Sequence, residues 1–314
     1  MSGDYKSVSR VRARPRLLRI LKSDWQLYVI LSVPLIWLII FCYVPMGGIV
    51  VAFQNYNIRR GIFRSDWVGL RYIKMFVNSP NFLQLIGNTL SLSVYSLLVG
   101  FPMPIILAIA LNECRFASIK KTVQTLTYLP YFISTVVLIS IMSQIFHLRF
   151  GVFNVLRNSL GMESVDIMGK ASLFRHLYVW SGIWQGMGFE AVLYIAALTN
   201  ISTEIKEAAI IDGANRFQCM INVDLPGILP TIIIMLILSV GNLMSVGFEK
   251  AYLMQNPGNL RQSELISTYI YKLGLEQAQY SFSTAVSLFN SATNFVLILT
   301  CNLIVRKLGG SGLW

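Results

Sequence analysis

The chain has 314 residues, of which 55% are hydrophobic and only 13% are charged, and its mean hydropathy is +0.61. A soluble domain carries about 25% charged residues, so this composition excludes an ordinary soluble domain and indicates a membrane protein. The formal net charge is +12. Binding to nucleic acid would need a soluble basic domain, and the sequence has none, so we attribute the excess charge to contact with anionic lipid.

Six apolar stretches are long enough to cross a bilayer as helices. About 20 mostly apolar residues span roughly 30 Å of hydrocarbon, and unpaired backbone groups exclude open sheets there. The stretches lie at about 27–52, 87–111, 125–147, 176–199, 230–254 and 281–305. We therefore predict an all-α membrane protein with six transmembrane helices, in which residues 27–305 form the transmembrane domain.

Basic residues predict how these helices are oriented. The segment 1–26, before the first helix, holds Lys6, Arg10, Arg12, Arg14, Arg16, Arg19 and Lys22. Because basic flanks stay on the cytoplasmic side, this segment is expected in the cytoplasm. Six crossings then place the tail 306–314 there too. Arg115, Lys120 and Lys121, in the loop between the second and third helices, agree with this orientation.

Prolines and glycines punctuate the predicted helices. Pro34 lies inside the first helix, and Pro102 and Pro104 inside the second, where they are expected to kink or interrupt it. In the fourth helix, Gly182, Gly186 and Gly188 form a pattern of small residues that permits close packing against another helix.

Several polar and aromatic side chains fall within the predicted helices. Ionisable groups inside a membrane are costly and usually face a cavity or a partner. We predict that a path for a hydroxyl-rich solute is lined by Gln144, Trp184, Gln185, Glu190, Tyr194 and Asn242. The alternative is structural: hydrogen bonds between helices, and a pair formed by Glu249 and Lys250.

The loop at 200–229, between the fourth and fifth helices, is long and patterned. Ser202 and Thr203 are good helix caps, with Glu204 in the first turn. Gly213 permits a tight change of direction, and Pro226 is expected to begin a new segment. The sequence predicts a short helix, a turn and a second helix that leads into the fifth crossing. The small residues and single glutamate of its 207–226 stretch suit docking onto another protein.

Motifs for catalysis are missing from the sequence. There is no G-x-x-x-x-G-K-[ST] loop to cradle nucleotide phosphates, and neither a G-x-S-x-G elbow nor an H-E-x-x-H pair. The four cysteines have no metal-site spacing. We therefore expect no catalytic residue, metal site or cofactor on this chain.

The stretch EAAIIDGANRFQCMINVDLP at 207–226 resembles the signature of binding-protein-dependent ABC importer permeases, with Val223 in place of the usual isoleucine. The resemblance extends over nearly the whole chain. Other stretches are similar to the complex-oligosaccharide branch of that family: YVPMGGIVVAFQNYN at 43–57, WVGLRYI at 67–73, NTLSLSVYSLLVGFPMPIILAIALNE at 88–113, TYLPYFIST at 127–135, GFEKAYLMQNP at 247–257 and GLW at 312–314.

This resemblance implies a type I ABC importer architecture that imports oligosaccharides, uronate-containing ones among them, by alternating access. The implied partners are a second permease subunit, identical or not, two cytoplasmic ATPase subunits that carry ATP and magnesium, and an extracytoplasmic solute-binding protein. A cytoplasmic coupling helix between helices 4 and 5 would contact an ATPase through Glu207, Ala208, Ala209, Asp212 and Gly213.

Two other classes of function fit a six-helix membrane protein. A self-sufficient secondary transporter or channel often shows internal repeats and discontinuous helices; the sequence has no repeat, although the prolines of the second helix are compatible with a discontinuity. A membrane-embedded enzyme would need a nucleophile beside a base, and no such pairing is evident. The patterned inner loop favours the importer.

Overall fold

The computed structural model describes residues 25–245 and 247–307, and within these ranges the chain is almost entirely helical. Most of the predicted cytoplasmic segment 1–26, with its basic residues, and most of the tail 306–314, with its GLW end, lie outside the described residues. The helices are α1 (Trp25–Phe53), α2 (Gly61–Arg64), α3 (Arg71–Val77), α4 (Phe82–Glu113), α5 (Ala117–Phe132), α6 (Thr135–Ile145), α7 (Val152–Ser159), α8 (Ala171–Thr199), α9 (Thr203–Ile211), α10 (Arg216–Gly241), α11 (Phe248–Met254), α12 (Leu260–Ser263), α13 (Ile266–Tyr271) and α14 (Tyr280–Lys307). Strands β1 (Gln54–Asn55) and β2 (Asp66–Trp67) form a small antiparallel hairpin.

Four of these helices are long and apolar enough to cross a membrane: α1, α4, α10 and α14. Helices α5 and α6 meet the same criterion only as a pair, and they are bent by 100° relative to each other. Helix α8 has 29 residues, but its glycines, tryptophans and polar side chains make it less apolar. The described residues therefore hold four candidate crossings, or five with the bent pair, where the sequence predicted six.

Two breaks fall inside predicted crossings. The crossing predicted at 125–147 is interrupted between α5 and α6. The helix predicted at 230–254 instead begins at Arg216 and ends at Gly241, and α11 follows only at Phe248. An unpaired backbone group costs several kcal/mol in hydrocarbon, on the order of a lost hydrogen bond, so such breaks need partners.

Side chains from neighbouring helices supply these partners. The Gln185 side chain donates from Nε2 to the carbonyl oxygen of Ile133 over 2.7 Å, at the first break. At the second break, the backbone N–H of Met244 donates to Oδ1 of Asn294 over 2.9 Å, and the Ser93 hydroxyl donates to the carbonyl oxygen of Leu243. The breaks are thus built into the packing of the helices.

Three long helices widen into a π-helical turn before a proline. The turns are Ile39–Tyr43, Ser96–Gly100 and Met220–Asp224, and the prolines that follow are Pro45, Pro102 and Pro226. Because proline lacks an N–H and clashes with the preceding turn, a locally widened turn lets the helix continue through it. Regular helical bonding is thus interrupted just before Pro102, and a regular α-helical segment begins at Leu225 with Pro226 in its first turn, as the sequence predicted. The chain nevertheless stays helical through both positions, within α4 and α10.

Helix α8 is the centre of the packing and makes its largest contact with α4. One end of α8 packs in an apolar cluster with α4, α6 and α11, through Phe174, Tyr178, Leu92, Leu138 and Met254. Its other end packs against α4 and α10, through Ala191, Leu198, Ala108 and Ile228. A third cluster joins α3, α13 and α14 through Phe76, Ile266 and Val286.

Of the three glycines predicted to permit close packing, Gly188 is the one that meets another helix's backbone. A Cβ at this position would overlap the carbonyl of Thr127 on α5. At Gly182 a Cβ would meet Nζ of Lys250, and at Gly186 the carboxylate of Glu190, which lies on the same helix. The packing expectation is confirmed at Gly188.

Gly188→Ala is expected to destabilise the protein, because the added methyl must displace the α5 backbone. The cost is on the order of 1–3 kcal/mol, read as a lower midpoint of thermal unfolding of the purified protein in detergent. Gly87→Ala, on α4, is the matched control because a Cβ there has nothing within 4 Å. An unfolding midpoint for Gly188→Ala equal to that of Gly87→Ala would contradict the close contact.

Candidate functional site

An open cavity of about 360 Å³ lies between α4, α8 and the C-terminal end of α10. Its polar wall consists of Ser93 and Ser96 on α4, Glu190 on α8, Ser239 on α10 and Asn242 just beyond α10. The remaining wall is mainly apolar and includes Leu97, Phe101, Ile183 and Met187. A largely apolar wall with a few polar groups, at this volume, is typical of small-molecule sites.

The polar groups of this cavity differ in how far they are already satisfied. Ser239 donates to the carbonyl oxygen of Met235 over 2.8 Å, and Asn242 donates from Nδ2 to that of Leu238 over 3.3 Å. The hydroxyl of Ser96 is buried and has no hydrogen-bond partner among the described residues. Glu190 is exposed. The cavity therefore keeps unused donor and acceptor capacity for a ligand.

The structure brings two of the six predicted path residues together in this cavity, Glu190 and Asn242. The other four lie elsewhere. Gln144 is exposed on α6, Trp184 on α8 is 49% exposed, and Gln185 bonds to Ile133. Tyr194 is 3% exposed and packs in the core between α4, α8 and α10.

Lys250 is a polar group beside the cavity that the sequence analysis did not place there. Its Nζ donates to the carbonyl oxygen of Tyr178 over 2.8 Å and lies 4.8 Å from the centre of that ring. Tyr178 and Gly182, both next to Nζ, line the cavity. The pair of Glu249 with Lys250, considered as an alternative, is not among the ion pairs of the described residues. The sequence pattern did not indicate that the side chain of Lys250 is buried.

The loop between α8 and α10 has the predicted form of helix, turn and helix. The Ser202 side chain accepts a hydrogen bond from the backbone N–H of Glu204 and begins α9. Gly213 has φ +85°, the left-handed conformation that favours glycine. Asn215 then begins α10 with a capping box to Gln218. Local capping and turn residues were sufficient to predict this segment.

The surface of this segment is accessible and partly apolar. Glu207, Ala208, Asp212 and Gly213 are exposed and Ala209 is half-buried. Large apolar side chains are exposed around them: Ile205, Ile210, Phe217 and, at 84%, Ile211. Exposed apolar patches with polar rims mark surfaces that contact another molecule. Among the described residues, no group of three His, Cys, Asp or Glu side chains is placed to hold a metal ion.

A charged cluster, which we call the Lys206 tether, fixes α9 to the helices behind it. Lys206 Nζ lies 2.5 Å from Oε1 of Glu113, at the end of α4, and 3.3 Å from Oδ2 of Asp224, on α10. The side chain of Asp224 is only 3% exposed. The sequence analysis missed the tether because Lys206 is 93 positions from Glu113 and 18 from Asp224.

The ammonium of Lys206 keeps its charge at neutral pH. Burial by itself lowers the pKa of Lys206, but its hydrogen bond to Glu113 and the charges of Asp224 and Glu113 raise it by more. The pKa therefore lies above its usual 10.5. The contribution of this ammonium to stability is fully present below the usual value and is lost only as the pH rises through the raised one.

Lys206→Met is expected to loosen α9, because it leaves the buried carboxylate of Asp224 without its cation. An unpaired buried group of this kind costs about 1–3 kcal/mol. The measurement is amide hydrogen exchange of residues 203–211 in the purified protein, which should become faster. Lys206→Arg should retain slow exchange. Lys121→Met, at an exposed lysine on α5, is the control; equal exchange in the two methionine variants would show that the tether does not hold α9.

Comparison with known proteins gives consistent matches along the chain. Residues 100–309 match the family model described as "Binding-protein-dependent transport system inner membrane component". Protein LplB of Bacillus subtilis (strain 168) is 42% identical over 294 residues, which are 94% of this chain and 92% of LplB. The polygalacturonan/rhamnogalacturonan transport system permease protein YteP of the same organism is 39% identical, over 96% of this chain and 94% of YteP.

Solved structures match as well. A chain from the crystal structure of a bacterial ABC transporter involved in the import of the acidic polysaccharide alginate aligns with a TM-score of 0.86 and 37% identity, over 93% of this chain and 99% of that chain. A chain from the bacterial alginate ABC transporter in complex with an alginate pentasaccharide-bound periplasmic protein aligns with a TM-score of 0.87 and 37% identity, over 95% and 100%.

Proposed function

Because the chain belongs to the family of binding-protein-dependent transport system inner membrane components, we propose that it carries acidic, uronate-containing oligosaccharides across the cytoplasmic membrane by alternating access. It is the permease component of an ABC importer for polysaccharides or oligosaccharides and is not itself an enzyme; ATP is hydrolysed on partner subunits. It works with a periplasmic binding protein and further transporter partners. Membership of this family excludes the alternatives of a self-sufficient transporter and of an enzyme.

The substrate class in this proposal is supported by the relatives. Alginate, in the name of one matched transporter, is an acidic polysaccharide, and YteP is named for polygalacturonan and rhamnogalacturonan. The sugar that this chain imports is proposed to share the carboxylate that is common to those polymers.

The complete assembly is proposed to contain a second permease subunit, two cytoplasmic ATPase subunits with ATP and magnesium, and a lipid bilayer around the helices, with no role for nucleic acid. Six crossings are proposed: the four long apolar helices, the bent α5–α6 pair, and α8. The length of α8, about 44 Å at roughly 1.5 Å per residue, exceeds the hydrocarbon thickness of about 30 Å. Segments 1–26 and 306–314 are then cytoplasmic and 27–305 form the transmembrane domain.

The observation that carries the coupling role is the exposed apolar surface of α9 together with the Lys206 tether beneath it. Glu207, Ala208, Ala209, Asp212 and Gly213 are proposed to contact an ATPase subunit. An exposed helix with Ile210 and Ile211 at its end gives an area for docking. The tether joins that helix to α4 and α10, which both line the cavity. A movement of the ATPase subunits that displaces α9 would therefore also displace α4 and α10, and with them the cavity wall, through the ion pairs of the Lys206 tether.

The solute is proposed to pass through the cavity between α4, α8 and α10, with Glu190 and Asn242 contacting its hydroxyl groups. Carboxylate and amide oxygens accept hydrogen bonds from sugar hydroxyls, and those to a carboxylate are the stronger. Gln144, Trp184, Gln185 and Tyr194 remain predicted path residues that lie outside this cavity.

Gly213→Val is expected to abolish transport, because a β-branched residue resists φ +85° at a cost of about 1–2 kcal/mol and misplaces α9. The measurement is recovery of ATPase subunits with the affinity-purified permease, together with solute-stimulated ATP hydrolysis. Gly161→Val is a matched control, because Gly161 also has a positive φ, +73°, and an added Cβ would meet nothing within 4 Å there either. Gly161 follows α7 and is not part of the α9 segment. Full transport and ATPase recovery in Gly213→Val would exclude the coupling role.

Glu190→Leu is expected to reduce solute uptake about tenfold, because the cavity loses a charged acceptor whose hydrogen bonds are worth about 1.5–3 kcal/mol each. Initial uptake of a labelled oligosaccharide by whole cells measures this, with ATPase recovery unchanged. Glu249→Leu, at an exposed glutamate outside the cavity wall, should leave uptake as in the wild type. Equal uptake in the two leucine variants would remove Glu190 from the path.

A further inference from the structure

A second recess, of about 330 Å³, opens between α4, α8 and α12, at the end of α8 opposite to α9. It is lined by Ser91 and Tyr95 on α4, Ser172, Arg175 and His176 on α8, and Gln262 on α12. Arg175 lies about 36 Å from the α9 end of α8, at roughly 1.5 Å per residue. If α9 is cytoplasmic, as proposed, this recess faces the side from which the solute arrives.

Arg175 holds a positive charge in this recess without a carboxylate partner. Its Nη2 donates to Oδ1 of Asn88 over 3.2 Å, while its Nε–H is buried and has no acceptor. No ion pair among the described residues includes it. Glu264, which lies behind Asn88, keeps its carboxylate 3.3 Å from Nζ of Lys272. A guanidinium carries five N–H donors, so its bond to Asn88 leaves most of its donor capacity unused.

Asn88 is itself fixed, so Arg175 is held in a defined orientation. The Nδ2 of Asn88 donates to the carbonyl oxygens of Arg261, over 2.9 Å, and Glu264, over 3.1 Å. These two bonds fix the amide group with its oxygen toward the guanidinium. Arg175 therefore presents its remaining N–H groups from a prearranged position, which lowers the entropic cost of binding a ligand.

The neighbouring ring of His176 is held in a defined orientation as well. The indole N–H of Trp180 donates to the Tyr95 oxygen over 3.2 Å, and the Tyr95 hydroxyl lies 2.9 Å from Nδ1 of His176. Because the hydroxyl engages Nδ1, the ring nitrogen left for a ligand is Nε2. Arg175 and His176 thus both line the recess with nitrogen atoms, beside the hydroxyls of Ser91 and Ser172.

We propose that this recess binds the carboxylate of an acidic sugar unit, with Arg175 as its ion partner and the hydroxyl, amide and imidazole groups around it contacting the sugar ring. This inference rests on the proposed function and assigns residues to the selection of an acidic solute at the outer mouth of the path. A carboxylate matches this recess better than a sugar hydroxyl does, because hydrogen bonds from a guanidinium to an ionised acceptor are stronger than those to a neutral one.

The test measures binding to the complete permease–ATPase complex in nanodiscs, without the solute-binding protein. The probes are a galacturonate trisaccharide and the galactose trisaccharide of the same linkage, followed by tryptophan fluorescence, because Trp180 bonds to Tyr95 at the recess. Arg175→Gln should weaken binding of the acidic trisaccharide tenfold or more, while binding of the neutral one changes less than about twofold. The affinity of Arg175→Lys for the acidic trisaccharide should lie between those of the wild type and Arg175→Gln. Binding of the acidic trisaccharide to the wild type should weaken with added salt.

Two further variants complete the design. Lys170→Gln removes one positive charge just before α8, at an exposed side chain that does not line the recess, and should bind as the wild type does. Ser172→Phe fills the recess while retaining both Arg175 and Asn88, and it should also lose the acidic ligand. Equal affinity of the wild type and Arg175→Gln for the acidic trisaccharide, or equal losses for both sugars, would overturn the proposal.

Failure of this inference is distinguishable from failure of the proposed function. Uptake of the galacturonate trisaccharide by cells tests the function separately. If cells import it and Arg175→Gln binds it as the wild type does, the recess is not the selective site but the importer assignment stands. If the complex binds it through Arg175 and cells do not import it, the recess stands and the proposed substrate class fails.

Discussion

The structure depends on the requirement that every backbone N–H and C=O inside a membrane find a partner. Helices meet it within themselves, and the two breaks in the long crossings meet it through side chains of other helices. Gln185 bonds to Ile133 at one break, and Asn294 and Ser93 bond to Met244 and Leu243 at the other. The second break also shapes the cavity, because it ends α10 at Gly241 and leaves Asn242 at the cavity wall.

Much of this architecture is predictable from the sequence, and the part that is not has a physical reason. Segments governed by local rules were predicted: the apolar helices from hydropathy, and the α9 turn from Ser202 and Gly213. The breaks escaped prediction because their partners are distant along the chain, 52 positions for Gln185 and Ile133 and 50 for Met244 and Asn294. Hydropathy averages over such positions and reports a single uninterrupted crossing.

The residues of the candidate site were likewise predictable only in part. Glu190 and Asn242 stand out in an apolar context, and both line the cavity. Serines 93 and 96 do not stand out, because serine is common in membrane helices and its hydroxyl is usually satisfied by its own helix. Lys250 and Arg175 were not assigned, since a basic residue near the end of a helix resembles an interfacial anchor. The structure shows that each is held by a specific hydrogen bond, Lys250 to the carbonyl oxygen of Tyr178 and Arg175 to the side chain of Asn88.

Helix α8 connects the Arg175 recess to α9 as a single element, without a proline or a π-helical turn along its 29 residues. The short helix α9 follows it after three residues. Tilting one end of this continuous helix moves its other end in the opposite direction. The exposure of Arg175 and the position of α9 are therefore expected to change together.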